Sequence, residues 1–316
     1  MAASSALFLS SGDLIADRRY QWALDQLALG DLAGATDILL QTVELAPGFA
    51  TAWFALGAIR DKQGDHAGAV AAFQKARDND PDDYHGARLQ LARLGAGEAT
   101  PEMTAVYVRR LFDQHAPRFE ESLLNRLAYS GPQKLLAAVT AAAGGRWHAG
   151  SMLDLGCGTG LAGAAFRPGV DWLVGVDVSP GMIDEARTKG VYDRLAISEL
   201  VQFLGEEADT GTRYQLVVAA DVLVYVSDLA RVTRAVAQVL APDGLFAFTV
   251  ETHASDGVVL QQTLRYAHGQ RHVEDALAGA GCRPLTIEPV STRTENGVPV
   301  PGLLAVASLS LSAVRR

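Results

Sequence analysis

The chain has 316 residues, a net charge of −9 at pH 7 and 49% hydrophobic residues, a length and composition that fit two globular units better than one. So acidic a balance argues against non-specific nucleic-acid binding, which needs clustered lysine and arginine. A specific RNA substrate stays open, but nucleic acid is not an expected partner. The two cysteines, Cys157 and Cys282, show neither metal-ligand spacing nor a disulfide framework; they read as reduced thiols, which fits a cytoplasmic protein, and no metal is expected.

At the start, MAASSALFLSSGDL lacks a basic segment and its apolar run is short and broken by serine, so it does not read as a signal peptide. No stretch is apolar over enough residues to cross a membrane. An internal repeat follows. GDLAGATDILLQTVELAP from Gly30 and GDHAGAVAAFQKARDNDP from Gly64 share Gly, Asp, Ala, Gly, Ala and Pro at an offset of 34 residues. The second copy carries Trp53, Leu56, Gly57, Ala69, Phe73, Ala76 and Pro81; the first has Trp22 and Ala23 where Leu and Gly stand in the second. Residues 13–95 resemble the tetratricopeptide family, which has this period. Small Gly57 and Ala69 would let two antiparallel helices approach, with Trp53, Leu56 and Phe73 between them, and Pro81 would end the second helix. The segment YHGARLQLARLGAG is expected to cap the stack.

Residues 95–102, GAGEATPE, read as a linker. A helical region follows, punctuated by Pro117 and Pro132. From Ser151 strands and helices alternate: MLDLG, WLVGVD, LAIS, YQLVVAAD and LFAFTVE read as strands, with helical patterns such as GMIDEARTKG and DLARVTRAVAQVLAP between most of them. This predicts a parallel sheet with helices on both faces. RPLTIEPVSTRTE and VPVPGLLAVASLSL around Asn296-Gly297 predict a C-terminal antiparallel hairpin. The expected architecture is a helical repeat domain over 1–98, a linker and helical lid over 99–150, and a Rossmann-like, doubly wound seven-stranded α/β domain over 151–316.

The sequence LDLGCGTG places Gly156, Gly158 and Gly160 after an apolar strand. The dinucleotide fingerprint G-x-G-x-x-G is not met, because Leu161 stands where its last glycine would be. Asp177 ends the next strand about 20 residues after the first glycine, where a carboxylate accepts from ribose hydroxyls. A nucleoside ligand is therefore expected, with or without phosphates.

Four segments together resemble the class I S-adenosylmethionine-dependent methyltransferases: LDLGCGTG, VGVDVSPGMIDEAR, LAISELVQFL and LVVAADVLVYVSDL. The likeness runs from about residue 105 to the C-terminus. With the late LRYAHGQRHVEDALAGAGC and RTENGVPVPGLLAVAS, the chain resembles the subgroup of predicted methyltransferases with N-terminal tetratricopeptide repeats. The resemblance implies S-adenosylmethionine as cofactor. Gly156, Gly158 and Gly160 would admit its methionine part and ribose, and Asp154 would stand near its amino group. Asp177, with Val178 beside it, would take the ribose hydroxyls. Met182 would pack on the adenine or simply fill the core. Glu199, followed by Leu200, would meet the adenine amino group or serve only as a helix N-terminal acid. Asp221 would close the cofactor site at the fourth strand, and Cys157 would be a small filler of the loop.

FDQHAPRFEESL resembles the family's entry segment, with His115 in place of a tyrosine and Glu120 in place of an aspartate. Phe112, His115 and Phe119 would form part of a lid or simply an amphipathic packing face. His268 and His272, spaced i, i+4, are expected on one helix face. Tyr225, Arg265 and His115 are candidate acceptor-binding residues and His268 the candidate base. The function that follows is methyl transfer to a small-molecule oxygen or nitrogen nucleophile. Three alternatives stand beside it: a protein methyltransferase whose repeats recruit the substrate protein, a nicotinamide-dependent oxidoreductase, and a non-catalytic repeat protein.

Overall fold

The computed structural model describes residues 10–116, 119–121, 123 and 127–309. Most of the N-terminal stretch considered for a signal peptide, and Pro117, lie outside them. The chain divides into two compact units, Met1–Tyr107 and Val108–Arg316.

In the first unit, α1 (Leu14–Ala28) pairs with α2 (Leu32–Leu45) and α3 (Ala50–Lys62) with α4 (His66–Asp78). The sequence repeat is a repeat of geometry. Gly30 and Gly64 both adopt φ +81°, a left-handed turn open to glycine. The next residues, Asp31 and Asp65, cap α2 and α4 by accepting from Gly34 N and Gly68 N, each at 2.9 Å. A side chain at either of those glycines would strike the capping carboxylate: an added Cβ would lie 3.0 Å from Asp31 Cγ and 2.7 Å from Asp65 Cγ. The expected close approach of paired helices is present at Gly57, where an added Cβ would lie 2.7 Å from Phe73 Cδ1. Leu56 and Phe73 are fully buried, while Trp53 is half-buried and donates from its indole to Pro47 O at 2.8 Å. The expected cap is shorter than its sequence pattern, α5 (Ala87–Arg93), started by Gly86 at φ +76°.

Helix α6 (Ala105–Asp113) contains the point of division. The second unit continues through a short turn α7 (Phe119–Glu121), α8 (Gly131–Ala142), β1 (Ala149–Leu155), α9 (Leu161–Phe166), β2 (Val170–Asp177), α10 (Pro180–Thr188), β3 (Arg194–Ile197), α11 (Leu200–Asp209), β4 (Tyr214–Ala219), α12 (Leu229–Val239) and β5 (Leu240–Glu251). It ends with β6 (Val258–Leu260), β7 (Tyr266–His268), α13 (Gln270–Gly279), β8 (Cys282–Val290), β9 (Thr294–Glu295), β10 (Val298–Pro299) and β11 (Gly302–Leu309).

The main sheet has the order β3-β2-β1-β4-β5-β11-β8. The first five strands are parallel, and β11 runs antiparallel to both neighbours. Short β6 and β7, not anticipated from sequence, add to the end of β5. Asn296 and Gly297, both at positive φ, form the turn of the small β9–β10 ribbon, a conformation suited to a two-residue hairpin loop. The expected hairpin is therefore two-tiered: β8 and β11 pair in the sheet and β9–β10 form an excursion between them.

Both faces of the sheet are covered, which explains why its strands read as continuous apolar runs. Leu153, Leu155, Val174, Val176 and Val217 join one core with residues of α11, α12 and α13. Met152, Leu173, Leu216 and Val218 join the other with residues of α8 and α9. Side chains alternate along a strand, so Asp154, between Leu153 and Leu155, points to the face that carries α8 and α9.

Candidate functional site

The loop after β1 is shaped by close approach. Gly156 has φ +64°, and an added Cβ would stand 2.7 Å from Val222 Cβ and nearer still to its Cγ2. Gly160, at φ +92°, precedes α9. Gly158 differs: φ is +52°, yet an added Cβ meets no atom within 4 Å. Its conformation serves the loop and its outer side faces open space. Cys157 is pinned beneath by Cys157 N donating to Val176 O at 2.9 Å. Burial, then the carboxylates of Asp154 and Asp177, push its thiol well above the ordinary range, so it is a filler and not a nucleophile.

Asp177 joins this loop to the end of β2. Its Oδ2 accepts from Gly158 N and its Oδ1 from Ser179 N, each at 2.9 Å. Burial raises its pKa, and the backbone donors work against that rise. Each oxygen keeps a second lone pair, so the carboxylate can accept two further donors side by side.

Asp154 is almost fully buried. Burial raises its carboxyl to about 7, opposed by a hydrogen bond from Tyr192. Tyr192 Oη donates to Asp154 Oδ2 at 2.7 Å, while Asp154 Oδ1 and the nearby Thr159 Oγ1 are buried without a hydrogen-bond partner among the described residues. Buried polar atoms without partners carry a free-energy cost. One lies near the end of β1 and one in the loop that follows, on either side of open Gly158 in sequence, and both are free to take a polar ligand.

The entry segment is tied to the loop after β2. Asp113 Oδ1 accepts from Ser179 Oγ at 2.5 Å and from Gly181 N at 3.2 Å. Ser179 Oγ in turn caps α10 by accepting from Met182 N. Lys189 of the turn after α10 donates to Glu120 at 2.5 Å, so the departure from aspartate at that position keeps a carboxylate with a partner. Phe112 meets Phe119 and Tyr225 edge to face, at 5.8 and 5.2 Å between ring centroids.

Beside these, the carboxyl ends of β4 and β5 hold a charge network that the motifs did not reveal. Arg293 is buried. It donates to Asp221 Oδ2 at 2.7 Å, to Glu251, and weakly to Glu295 at 3.4 Å. Thr292 and Thr249 hydroxyls donate to Asp221 Oδ1 at 3.0 and 3.2 Å. Arg265 donates to Glu295, lies 3.7 Å from Glu251 and hydrogen-bonds with Tyr225. Burial would lower its pKa, but Tyr225, Glu295 and Glu251 outweigh that and raise it.

Known proteins resemble parts of this chain. The family model described as a methyltransferase domain matches residues 153–246, and that described as a tetratricopeptide repeat matches residues 20–84. The chain carries a class I methyltransferase domain behind tetratricopeptide repeats. It is 36% identical over 112 residues to Methyltransferase-like protein 27 of Homo sapiens, covering 35% of this chain and 44% of that protein. It is 34% identical over 102 residues to Ubiquinone biosynthesis O-methyltransferase of Azorhizobium caulinodans, covering 30% and 37%. The chain thus spans less than half the length of these curated relatives. Among solved structures, 1,6-didemethyltoxoflavin-N1-methyltransferase of Burkholderia thailandensis, with bound 1,6-didemethyltoxoflavin and S-adenosylhomocysteine, superposes with a TM-score of 0.51 at 17% identity, over 67% of this chain and 93% of that one. That likeness is one of fold.

Within the methyltransferase domain, Asp154, Gly156, Cys157, Gly158, Gly160, Asp177 and half-buried Val178 are brought together. Other expected residues are placed differently. Met182 is buried at 1% exposure, in the packing of α10 and not in an accessible wall. Glu199 caps α11 by accepting from Gln202 N at 2.9 Å, the role expected of a helix N-terminal acid, and Leu200 packs on the core beside it. The carboxylate of Asp221 is held by Arg293, Thr292 and Thr249. His115 is exposed and its Nδ1 turns back to Leu111 O at 2.6 Å. His268 ends β7 and His272 lies in α13, so the two do not share a helix face. Their rings nevertheless stack at 5.5 Å. His268 is fully buried, and burial lowers its pKa to about 4; a buried neutral ring is out of reach as a general base. Tyr225 and Arg265 do meet, at the solvent-reached end of the charge network. Among the described residues no three His, Cys, Asp or Glu gather to hold a metal.

Proposed function

We propose that this protein transfers a methyl group from S-adenosylmethionine to an oxygen or nitrogen of a small molecule. The observation that carries the reading is the cradle of Asp177, Gly158 and Asp154: a buried carboxylate with spare lone pairs, a loop glycine open on its outer side, and an unpartnered buried oxygen. These fit the ribose hydroxyls, the sugar and the ammonium group of the cofactor in that order.

When bound, the cofactor supplies an electrophilic methyl on a sulfonium with a neutral leaving group. The chain's task is then alignment, which can account for about 7–11 kcal/mol of a barrier. Asp177 and Asp154 would hold the two ends of the cofactor. Tyr225, Phe112 and Arg265 would wall the acceptor side, with Asp113 fixing the entry segment to α10. Asp221 is committed to Arg293 and His268 is neutral and buried, so neither serves as a free base. An acceptor that is already nucleophilic at neutral pH, or that sheds its proton readily, needs neither of them.

Calorimetry with S-adenosylmethionine and with NAD tests the cofactor. Binding of the first and not the second is expected, with loss of affinity in Asp177→Ala. Preference for NAD, or undiminished affinity in that variant, would overturn the reading.

A second reading, recruitment of a protein partner by the repeats, is favoured by Trp22. It is 52% exposed, whereas its counterpart Leu56 one repeat later is fully buried. Label from methyl-labelled cofactor is expected in the small-molecule fraction of a lysate; label confined to protein would favour the second reading. The buried, unpaired thiols of Cys157 and Cys282 support a cytoplasmic setting.

A further inference from the structure

Tyr192 lies outside every motif, in the turn between α10 and β3. Its ring occupies a slot cut by three glycines on three elements. An added Cβ would come within 2.8 Å of its Cε1 from Gly163 in α9, within 2.8 Å of the same atom from Gly175 in β2, and within 3.0 Å of its Cε2 from Gly160. The slot fixes the ring, and the ring delivers one hydroxyl to Asp154 Oδ2. A phenylalanine would fill the slot equally, so the hydroxyl's distinctive work is on Asp154.

We propose that Tyr192 is a positioning residue for the cofactor: it clamps Asp154 by one oxygen so that the other, Oδ1, is presented to the cofactor's ammonium group. The inference rests on the reading that S-adenosylmethionine binds here, and adds to it a residue and a pH dependence. The groups that face Asp154 are the Tyr192 phenol, Asp177 of β2, the Cys157 thiol, the Tyr129 phenol and the Gly163 N–H of α9. Burial and Asp177 disfavour its charged form; Tyr192 and Gly163 favour it. An ammonium ligand needs the carboxylate, so affinity falls as pH drops through about 7, the value to which Asp154 is raised. Removing the phenol removes a hydrogen bond to the charged form, which moves that fall to higher pH by about one pH unit.

The experiment is calorimetry of the full chain with S-adenosylmethionine from pH 6 to 8.5, for wild type, Tyr192→Phe and Asp154→Asn, with thermal midpoints as the check on folding. Tyr192→Phe should bind roughly fivefold more weakly near pH 7, approaching tenfold toward pH 6, with the gap narrowing toward pH 8.5. Asp154→Asn should bind weakly and lose this component of the pH dependence. A Tyr192→Phe profile that superposes on wild type overturns the clamp alone; a wild type that binds at no pH overturns the cofactor reading and the clamp with it. Should Tyr192→Phe not fold, replacement of the tyrosines by 3-fluorotyrosine, a stronger donor, should move the wild-type fall to lower pH. An unmoved profile would count against the clamp.

Discussion

Arg293 Nη1 lies 2.7 Å from Asp221 Oδ2, linking the loop after β8 to the end of β4 across the sheet's carboxyl edge. Asp221 sits at φ +56°, a conformation that costs an ordinary residue about 1–2 kcal/mol, and Thr249 and Thr292 complete its shell. Arg293→Met would leave buried Glu251 and half-buried Asp221 with one cation fewer. Breaking a buried pair from one side costs about 3–5 kcal/mol. Urea unfolding should show that loss, and Arg293→Lys, which keeps the charge but not the fork, should fall between. An unchanged unfolding midpoint in Arg293→Met would mean the network is not a brace.

The glycines of the loop after β1 separate fold from ligand. Gly156→Ala drives a methyl into Val222 and should lower both thermal stability and cofactor affinity. Gly158→Ala meets nothing, so its cost to folding is the left-handed backbone alone, about 1–2 kcal/mol, while the new methyl projects into the space the nucleoside would take. A folded Gly158→Ala protein with wild-type affinity would place the nucleoside elsewhere.

In the repeats, Gly57 faces Phe73. Gly57→Ala should overpack that contact by about 1–3 kcal/mol despite alanine's higher helix propensity. Phe73→Leu should relieve much of it in the double variant. A double-mutant cycle by urea unfolding reads the coupling, and additive effects would contradict the contact.

What the sequence made legible was local or periodic. The 34-residue offset held because each Gly-Asp pair sets a turn and a cap that demand the same residues twice, and the strand pattern held because a sheet covered on both faces needs continuous apolar runs. Asp177 could be found because its distance from Gly156 follows from one crossover. Tyr192, Arg293, Glu251 and Thr292 could not: each meets its partner across 38 to 72 positions, through sheet order that no single window encodes. His115 and His268 misled because residue type suggested chemistry while burial and backbone contacts, set by packing, assigned them elsewhere.

His268 gives the last expectation, one of pH. In the fold its ring is neutral, with its pKa lowered by burial, His272 and His253 from 6.5 to about 4. In the unfolded chain it regains its ordinary value. As pH falls below 6.5 the unfolded state takes up a proton that the fold refuses, so His268's contribution to stability, complete above 6.5, declines down to about 4. The slope approaches 1.4 kcal/mol per pH unit at most, or about 1–2 kcal/mol lost by pH 5. His268→Asn should therefore be less stable than wild type at pH 7.5, through lost packing, yet lose less on acidification. Urea midpoints at pH 7.5 and 5 read the difference, and parallel losses in the two proteins would show that His268 titrates normally in the fold.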